Sequence, residues 1–342
     1  MQDIKKVLAG KYSAIYFEKT QKILNDSKSN HASILQFTHF QNDDICVCGI
    51  EHCIEIIKQI PNLNAKVFAR KDGEMVKKGE PILLIEGNYK NYAFIESIID
   101  GLLARESSVC NHCKKILNLI STNQLILMAD RGDLYINQPY DGYAAYVAGV
   151  RNFTTYKHID LIKNKSDCKV VGTIPHALIQ QHKGNLVETL KNYKSSYPNE
   201  PLPALVDYTN DVIGEIKKIA KFFPELASIR IDTSKAMLDK SLTNPKDSGV
   251  SKQLVLKARQ ALDNCGLKQT KIVVSSGFSV DIIKEFIDNK IPADFYGVGK
   301  SVLEIDLNIT GDLVYLDGKV QSKKGRGLDK KSLGYKKLIQ YI

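Results

Sequence analysis

The chain has 342 residues, 43% of them hydrophobic and 25% charged, with 22 glycines, 10 prolines and a formal charge of +10. That composition excludes a disordered or fibrous chain, and the length exceeds what one hydrophobic core usually serves, so two domains or a barrel with an appendage are expected. No run approaches the roughly 18 apolar residues of a membrane span, and the first residues lack the apolar core of a secretion signal, so a cytoplasmic protein is expected.

The first hundred residues mix short extended runs, ILQFTHF at 34–40, ICVCGI at 45–50 and PILLIEG at 81–87, with helical patterns such as EHCIEIIKQI. They predict an α+β sandwich domain over residues 1–110. Within it, DGEMVKKGEPILLIEG at 72–87 has the turn-strand-turn character of a barrel-sandwich hairpin. A biotinyl or lipoyl carrier would present one modifiable lysine at such a tip, and Lys77 and Lys78 stand there; a structural hairpin is the alternative. The seven cysteines are an odd number in a chain too long to need staples, which points to reduced thiols. Cys110 and Cys113 with Cys46, Cys48 and Cys53 could supply zinc ligands, although VCNHCKKI reads as helix, where small buried cysteines are common.

From residue 91 the pattern turns helical, through YAFIESIIDGLLAR and HCKKILNLI. A regular alternation follows, with strands at QLILMAD, CKVVGT, ALVDY, ASIRID, KIVVSSG and DFYGVG and helices at DVIGEIKKIAKFF, SKQLVLKARQALDNC and SVDIIKEFIDN. Apolar strands alternating with helices predict parallel pairing, hence an irregular α/β barrel of TIM-like type over 111–305. DLNITGDLVYLDGKV then reads as an antiparallel hairpin, so 306–342 is expected to return to the first domain with a basic tail. That tail holds eight basic residues between Lys319 and Lys337 against one acid, Asp329. The rest of the chain therefore carries only three excess positive charges. No aromatic-interleaved basic patch accompanies the tail, which favours a solvated tail or a small anion over nucleic acid.

Nearly every barrel strand ends in reactive or glycine-rich chemistry. In order these ends are Asp130-Arg131-Gly132, Gly172-Thr173 followed by His176, Asp207-Tyr208, Arg230-Ile231-Asp232, Ser275-Ser276-Gly277 and Gly297-Val298-Gly299. In a barrel all of them gather at the C-terminal mouth. The last two turns sit where barrels often bind phosphate through backbone N–H groups. Arg230 and Asp232 alternate on one strand and so share a face; a buried ion pair would explain them, and so would a ligand with sugar hydroxyls and an anionic group. Of the seven histidines only His176 follows a strand-end Gly-Thr, so it alone is a catalytic candidate.

YFEKTQKIL, RKDGEMVKKGEPILLIEG, IESIIDGLLARESS, MADRGD, DGYAAYVAGV, VVGTIPHALI, LVDY, IRIDTS, VVSSGF and DFYGVGKSV, in that order, resemble the nicotinate phosphoribosyltransferase family over essentially the whole chain. The resemblance implies transfer of a phosphoribosyl group from phosphoribosyl pyrophosphate to nicotinate, with Mg²⁺ and ATP as cofactors, in a homodimer or larger oligomer with shared sites. It makes His176 the histidine that ATP phosphorylates. Arg230 and Arg131 would hold the nicotinate carboxylate and the pyrophosphate, Asp232 and Asp207 the ribose or its metal-bound neighbourhood, and Thr173 a substrate contact. Ser276, Gly277, Gly297 and Gly299 would take the 5′-phosphate, and Tyr16 with Lys19 would reach a neighbouring subunit's substrate. No metal bound permanently by side chains, no nucleic acid and no membrane are expected. The chain departs from the family pattern at Lys19, where arginine is usual, at Lys300, where threonine is common, and at Ser276, where glycine often stands. Nicotinamide or quinolinate transfer on the same scaffold, and a non-catalytic barrel that binds a phosphate ligand, are the alternatives.

Overall fold

The structure is a computed structural model and describes residues 3–327, 331 and 333–342. In chain order it contains α1 (Ile4–Leu8), α2 (Ile15–Asp26), β1 (Ala32–His39), β2 (Ile45–Cys46), α3 (Ile50–Lys58), β3 (Ala65–Ala69), β4 (Met75–Val76), β5 (Leu83–Asn88) and α4 (Glu96–Leu117). There follow β6 (Leu125–Leu127), α5 (Gln138–Ala148), β7 (Asn152–Phe153), β8 (Lys169–Val170), α6 (His176–Gln181), α7 (Leu186–Ser196), β9 (Pro203–Leu205), α8 (Val212–Ala220) and β10 (Ser228–Ile231). The chain continues through α9 (Lys252–Asn264), β11 (Lys271–Val274), α10 (Val280–Asp288), β12 (Phe295–Val298), β13 (Ile309–Leu316), β14 (Lys319–Val320), α11 (Leu333–Lys336) and β15 (Ile339–Gln340). These elements form two compact units, one running to Asn111 and resuming at Glu304, the other spanning His112–Leu303.

The first unit is built on a six-stranded sheet in the order β14-β13-β1-β5-β3-β15, antiparallel throughout. Because side chains alternate along a strand, β1 buries both faces. Leu35 and Phe37 join Val67, Ile85 and the α3 residues Ile50, Ile54 and Ile57 in the main core, while Ile34 packs with Leu84, Val314 and Tyr315 on the other side. Residues 72–87 do not form an isolated carrier hairpin. β4 pairs with β2, β5 enters the large sheet, and Lys78 Nζ donates to Asn42 Oδ1 at 3.1 Å. The predicted strand at 45–50 is shorter than its apolar run, since only Ile45 and Cys46 pair before α3 begins at Ile50. Cys46, Cys48, Cys53, Cys110 and Cys113 are buried free thiols, and the Cys46 and Cys110 sulfurs lie 3.6 Å apart. Among the described residues no group of three or more His, Cys, Asp or Glu side chains is placed to hold a metal ion. In the basic tail, Arg326 pairs with Asp312 at 2.9 Å and lies over the Phe40 ring at 4.1 Å; Asp329 and Lys330 fall outside the described residues.

The second unit is a curled sheet of seven parallel strands in the order β8-β7-β6-β12-β11-β10-β9. The six strands placed from sequence are all present. The seventh, β7, is two residues long, and β8 and β9 are the two edges, so the barrel is a half-barrel rather than a closed ring. The crossover helices cover the sheet with amphipathic faces: α8 buries Val212, Ile216 and Ile219, and α9 buries Leu254, Val255, Ala258, Ala261 and Leu262. Each starts at a capped end, which satisfies an N–H group that the first turn leaves unpaired. The Asp211 carboxylate accepts from Gly214 N–H at 2.9 Å, and the Ser251 hydroxyl from Leu254 N–H at 3.2 Å. Short parallel strands followed by capped helices leave every strand's C-terminal end at one mouth of the curled sheet. No helix of the described residues is long and apolar enough to cross a membrane.

Candidate active site

At that mouth lies a cavity of about 480 Å³ whose wall contains Arg131, Thr173, His176, Arg230 and Asp232. Five of the side chains singled out from sequence thus meet in one place. The β10 strand explains how two of them arrive there. Ile229 and Ile231 are fully buried on its outer face, so Arg230 and the following Asp232 turn inward. The two form a loose pair, Arg230 Nη2 to Asp232 Oδ2 at 3.6 Å, and Arg230 Nε is buried with no hydrogen-bond partner. A guanidinium held this loosely keeps donors for an anion in the cavity, which a closed ion pair would not. The Ser275 hydroxyl donates to Asp232 Oδ1 at 2.6 Å and ties the end of β11 to that of β10.

His176 opens α6, four residues past Gly172, with its side chain 42% exposed to the cavity mouth. Its Nε2 lies 3.1 Å from Asp207 Oδ1, and its ring stacks on Tyr208 with centroids 6.5 Å apart. The Asp207 side chain is only 4% exposed. Burial pushes its carboxyl above the usual range, the nearby His176 pulls it back, and the Asp232 charge adds a further upward push. Asp207 is therefore attached to the cavity through His176 rather than being part of its wall.

The glycine turns divide into two kinds. Ser276 and Gly277 are consecutive left-handed residues, φ 76° and 79°, a conformation that glycine adopts freely and serine only at a cost. Gly297 and Gly299 instead make room for β6. A Cβ on Gly297 would fall 2.4 Å from Met128 Sδ, and one on Gly299 would fall 2.4 Å from the Met128 carbonyl oxygen. Neither of these four residues lines the cavity itself, although Ser276 directly follows the serine that holds Asp232. Tyr16 and Lys19 lie on an exposed face of α2 in the first unit.

The sequence patterns do not single out Met128 and Thr154 in the cavity wall, and they give no role to Asp130 there or to Ser275 behind it. Asp130 and Ser275 were visible as strand-end residues. Thr154 follows β7, whose two residues leave no apolar run to announce a strand. Five of the other six histidines have these partners: His39 bonds the Val76 carbonyl, His52 pairs with Glu106, His158 with Thr155, His182 with the Leu178 carbonyl, and the exposed His31 with Asp317.

Residues 14–107 match the model of the quinolinate phosphoribosyl transferase N-terminal domain. Over 253 residues the chain is 25% identical to a nicotinate phosphoribosyltransferase of Mycobacterium tuberculosis. The alignment takes in 71% of this chain but only 51% of that protein, so the match spans about half the relative's length. Among solved structures, the nicotinate-nucleotide pyrophosphorylase of Pyrococcus furiosus superposes with a TM-score of 0.82 at 24% identity, covering 95% of this chain and 80% of that one. Human nicotinic acid phosphoribosyltransferase does so with a TM-score of 0.69 at 13% identity, covering 92% and 76%. These two likenesses carry the fold: a curled parallel half-barrel and a separate antiparallel sheet. The domain match and the curated relative are likewise similarities to phosphoribosyltransferases that act on pyridine carboxylates.

Proposed function

We propose that the protein transfers a phosphoribosyl group from phosphoribosyl pyrophosphate to nicotinate, giving nicotinate mononucleotide and pyrophosphate for NAD synthesis. The observation that carries this reading is the meeting of Arg131, Arg230, Asp232 and His176 in one cavity. In this reaction the pyridine nitrogen attacks the anomeric carbon as the bond to pyrophosphate breaks, and positive charge builds on the ribose. A site for it needs cations for the leaving group, a carboxylate near the sugar and little else, because positioning and fixed charge supply most of the acceleration. Arg230 and Arg131 would share the pyrophosphate and the nicotinate carboxylate, Asp232 the ribose hydroxyls, and Ser276 and Gly277 the 5′-phosphate. Mg²⁺ is usually held by one or two carboxylates together with substrate phosphates, and Asp130 and Asp232 in the cavity wall fit that role; the ion would neutralise leaving-group charge.

ATP coupling through His176 belongs to the same proposal. With the His176 Nε2 proton donated to Asp207, the Nδ1 lone pair is left free to attack a γ-phosphoryl group, forming a P–N bond as the P–O bond to ADP breaks. Tyr16 and Lys19 would complete the site of a second copy, which makes a homodimer the working unit. Quinolinate is the second reading, favoured by the N-terminal domain match. Its extra carboxylate asks for more cationic side chains than Arg131 and Arg230, the two in the cavity wall. Mononucleotide formation from nicotinate, nicotinamide and quinolinate, each with phosphoribosyl pyrophosphate and Mg²⁺, separates these readings. Turnover of nicotinate alone is expected, and turnover of quinolinate alone would replace the proposal.

A further inference from the structure

Beside the cavity, the loop after β10 reaches across to the turn after β11. Lys235 lies on this loop, three residues beyond Asp232, and its side chain crosses the left-handed turn: Cε is 3.3 Å and Nζ 3.8 Å from where a Gly277 Cβ would stand. Its backbone is fixed rather than loose. The Lys235 Cα sits 3.1 Å from the Cβ position of Gly249, whose N–H donates to the Met237 carbonyl at 2.8 Å, and Met237 N–H closes a turn onto Ser234 at 2.9 Å. No carboxylate pairs with Lys235 among the described residues. In the left-handed turn the backbone N–H groups of Ser276 and Gly277 donate to no protein acceptor among the described residues. Successive unpaired N–H groups in a turn suit an anion, and an unpaired ammonium close to that turn supplies the charge.

We propose that Lys235 is the side-chain cation of a phosphomonoester subsite whose floor is the Ser276-Gly277 turn. The inference rests on the phosphoribosyl reading for the identity of the phosphate, but not on which base is transferred or on ATP. It gives the single loop from Asp232 to Lys235 both ends of the sugar phosphate, the hydroxyls at Asp232 and the 5′-phosphate at Lys235. The Ser275 bond to Asp232 holds that loop against the turn.

The test is calorimetric binding of ribose 5-phosphate and of nicotinate to the full chain and to its Lys235→Met and Lys235→Arg variants, with the exposed Lys217→Met on α8 as control. Lys235→Met should weaken ribose 5-phosphate about tenfold to a hundredfold, the worth of a charge-assisted hydrogen bond, and leave nicotinate binding unchanged. Lys235→Arg should recover most of that affinity, and Lys217→Met should change nothing. In turnover, the KM for phosphoribosyl pyrophosphate should rise in Lys235→Met with kcat within a few-fold. Equal ribose 5-phosphate affinity in the parent and Lys235→Met, or no binding to either, would overturn the proposal. Absence of turnover in the parent protein would instead remove the transferase reading while the ribose 5-phosphate result stood on its own.

Discussion

Replacing Glu96 by glutamine should stabilise the first unit at alkaline pH and do nothing for it in acid. Glu96 opens α4, one turn before Asp100 on the same helix face. Burial pushes its carboxyl from 4.5 up to about 7, against the Tyr89 hydroxyl, which donates to it at 2.6 Å, and with a further push from Asp312. Asp100 is raised to about 7 by burial and by Glu96 itself. A carboxyl that holds its proton more tightly when folded gives stability that is complete below its unfolded value and lost as the pH climbs through the folded one. For Glu96 the window runs from 4.5 to about 7, and at 1.36 kcal/mol per pH unit the loss is about 3 kcal/mol. The Asp100 contribution is coupled to it and does not simply add. Glutamine keeps an acceptor for Tyr89 and removes the charge. Urea unfolding of Glu96→Gln and its parent should therefore give equal stability near pH 4.5 and a variant about 2 to 3 kcal/mol more stable at pH 8. A variant that is less stable by the same amount at both pH values would refute the reasoning, because it would mean that Glu96 is ionised and well paired.

Further outcomes follow from other sites. His158 behaves in the opposite sense: burial holds its imidazole down at about 4, so the stability it gives is present above 6.5 and is lost as the pH falls towards 4, by about 3 kcal/mol. His158→Gln should flatten that acid limb of the stability profile. Gly299→Ala would drive a methyl group to within 2.4 Å of the Met128 carbonyl, a backbone atom with nowhere to go, and should cost about 3 kcal/mol in chemical denaturation. Ser275→Ala removes the bond that orients Asp232 and should raise the KM for phosphoribosyl pyrophosphate about tenfold with little change in melting temperature. Asp207→Asn should lower ATP-stimulated turnover by about a hundredfold or more while nicotinate still binds, as isothermal titration would show.

The barrel was legible because its strands are apolar runs that end in Gly, Asp or Arg, and a parallel sheet converts those ends into one mouth. Arg230 and Asp232 could be placed on a common face from their spacing alone. What escaped were features that leave no periodic trace. β7 is too short for its hydrophobic pattern to register, and Thr154 vanished with it. The opening between β8 and β9 depends on how far the sheet curls, which no residue pattern states. The close approach of Gly297 and Gly299 to Met128 belongs to the adjacent strand and leaves no trace in their own neighbours in sequence. Conversely, the cysteine spacing suggested zinc, and the fold buries those residues as free thiols.

The cavity's chemistry with nicotinate is the property on which the proposed activity depends. The direct measurement is the formation of nicotinate mononucleotide and pyrophosphate from nicotinate, phosphoribosyl pyrophosphate and Mg²⁺, with and without ATP, by the protein and by His176→Ala. Turnover of nicotinate that ATP stimulates in the parent, and that persists without ATP coupling in His176→Ala, is the expected result. No mononucleotide from nicotinate under any of these conditions would contradict the account and leave a barrel whose phosphate subsite serves another ligand.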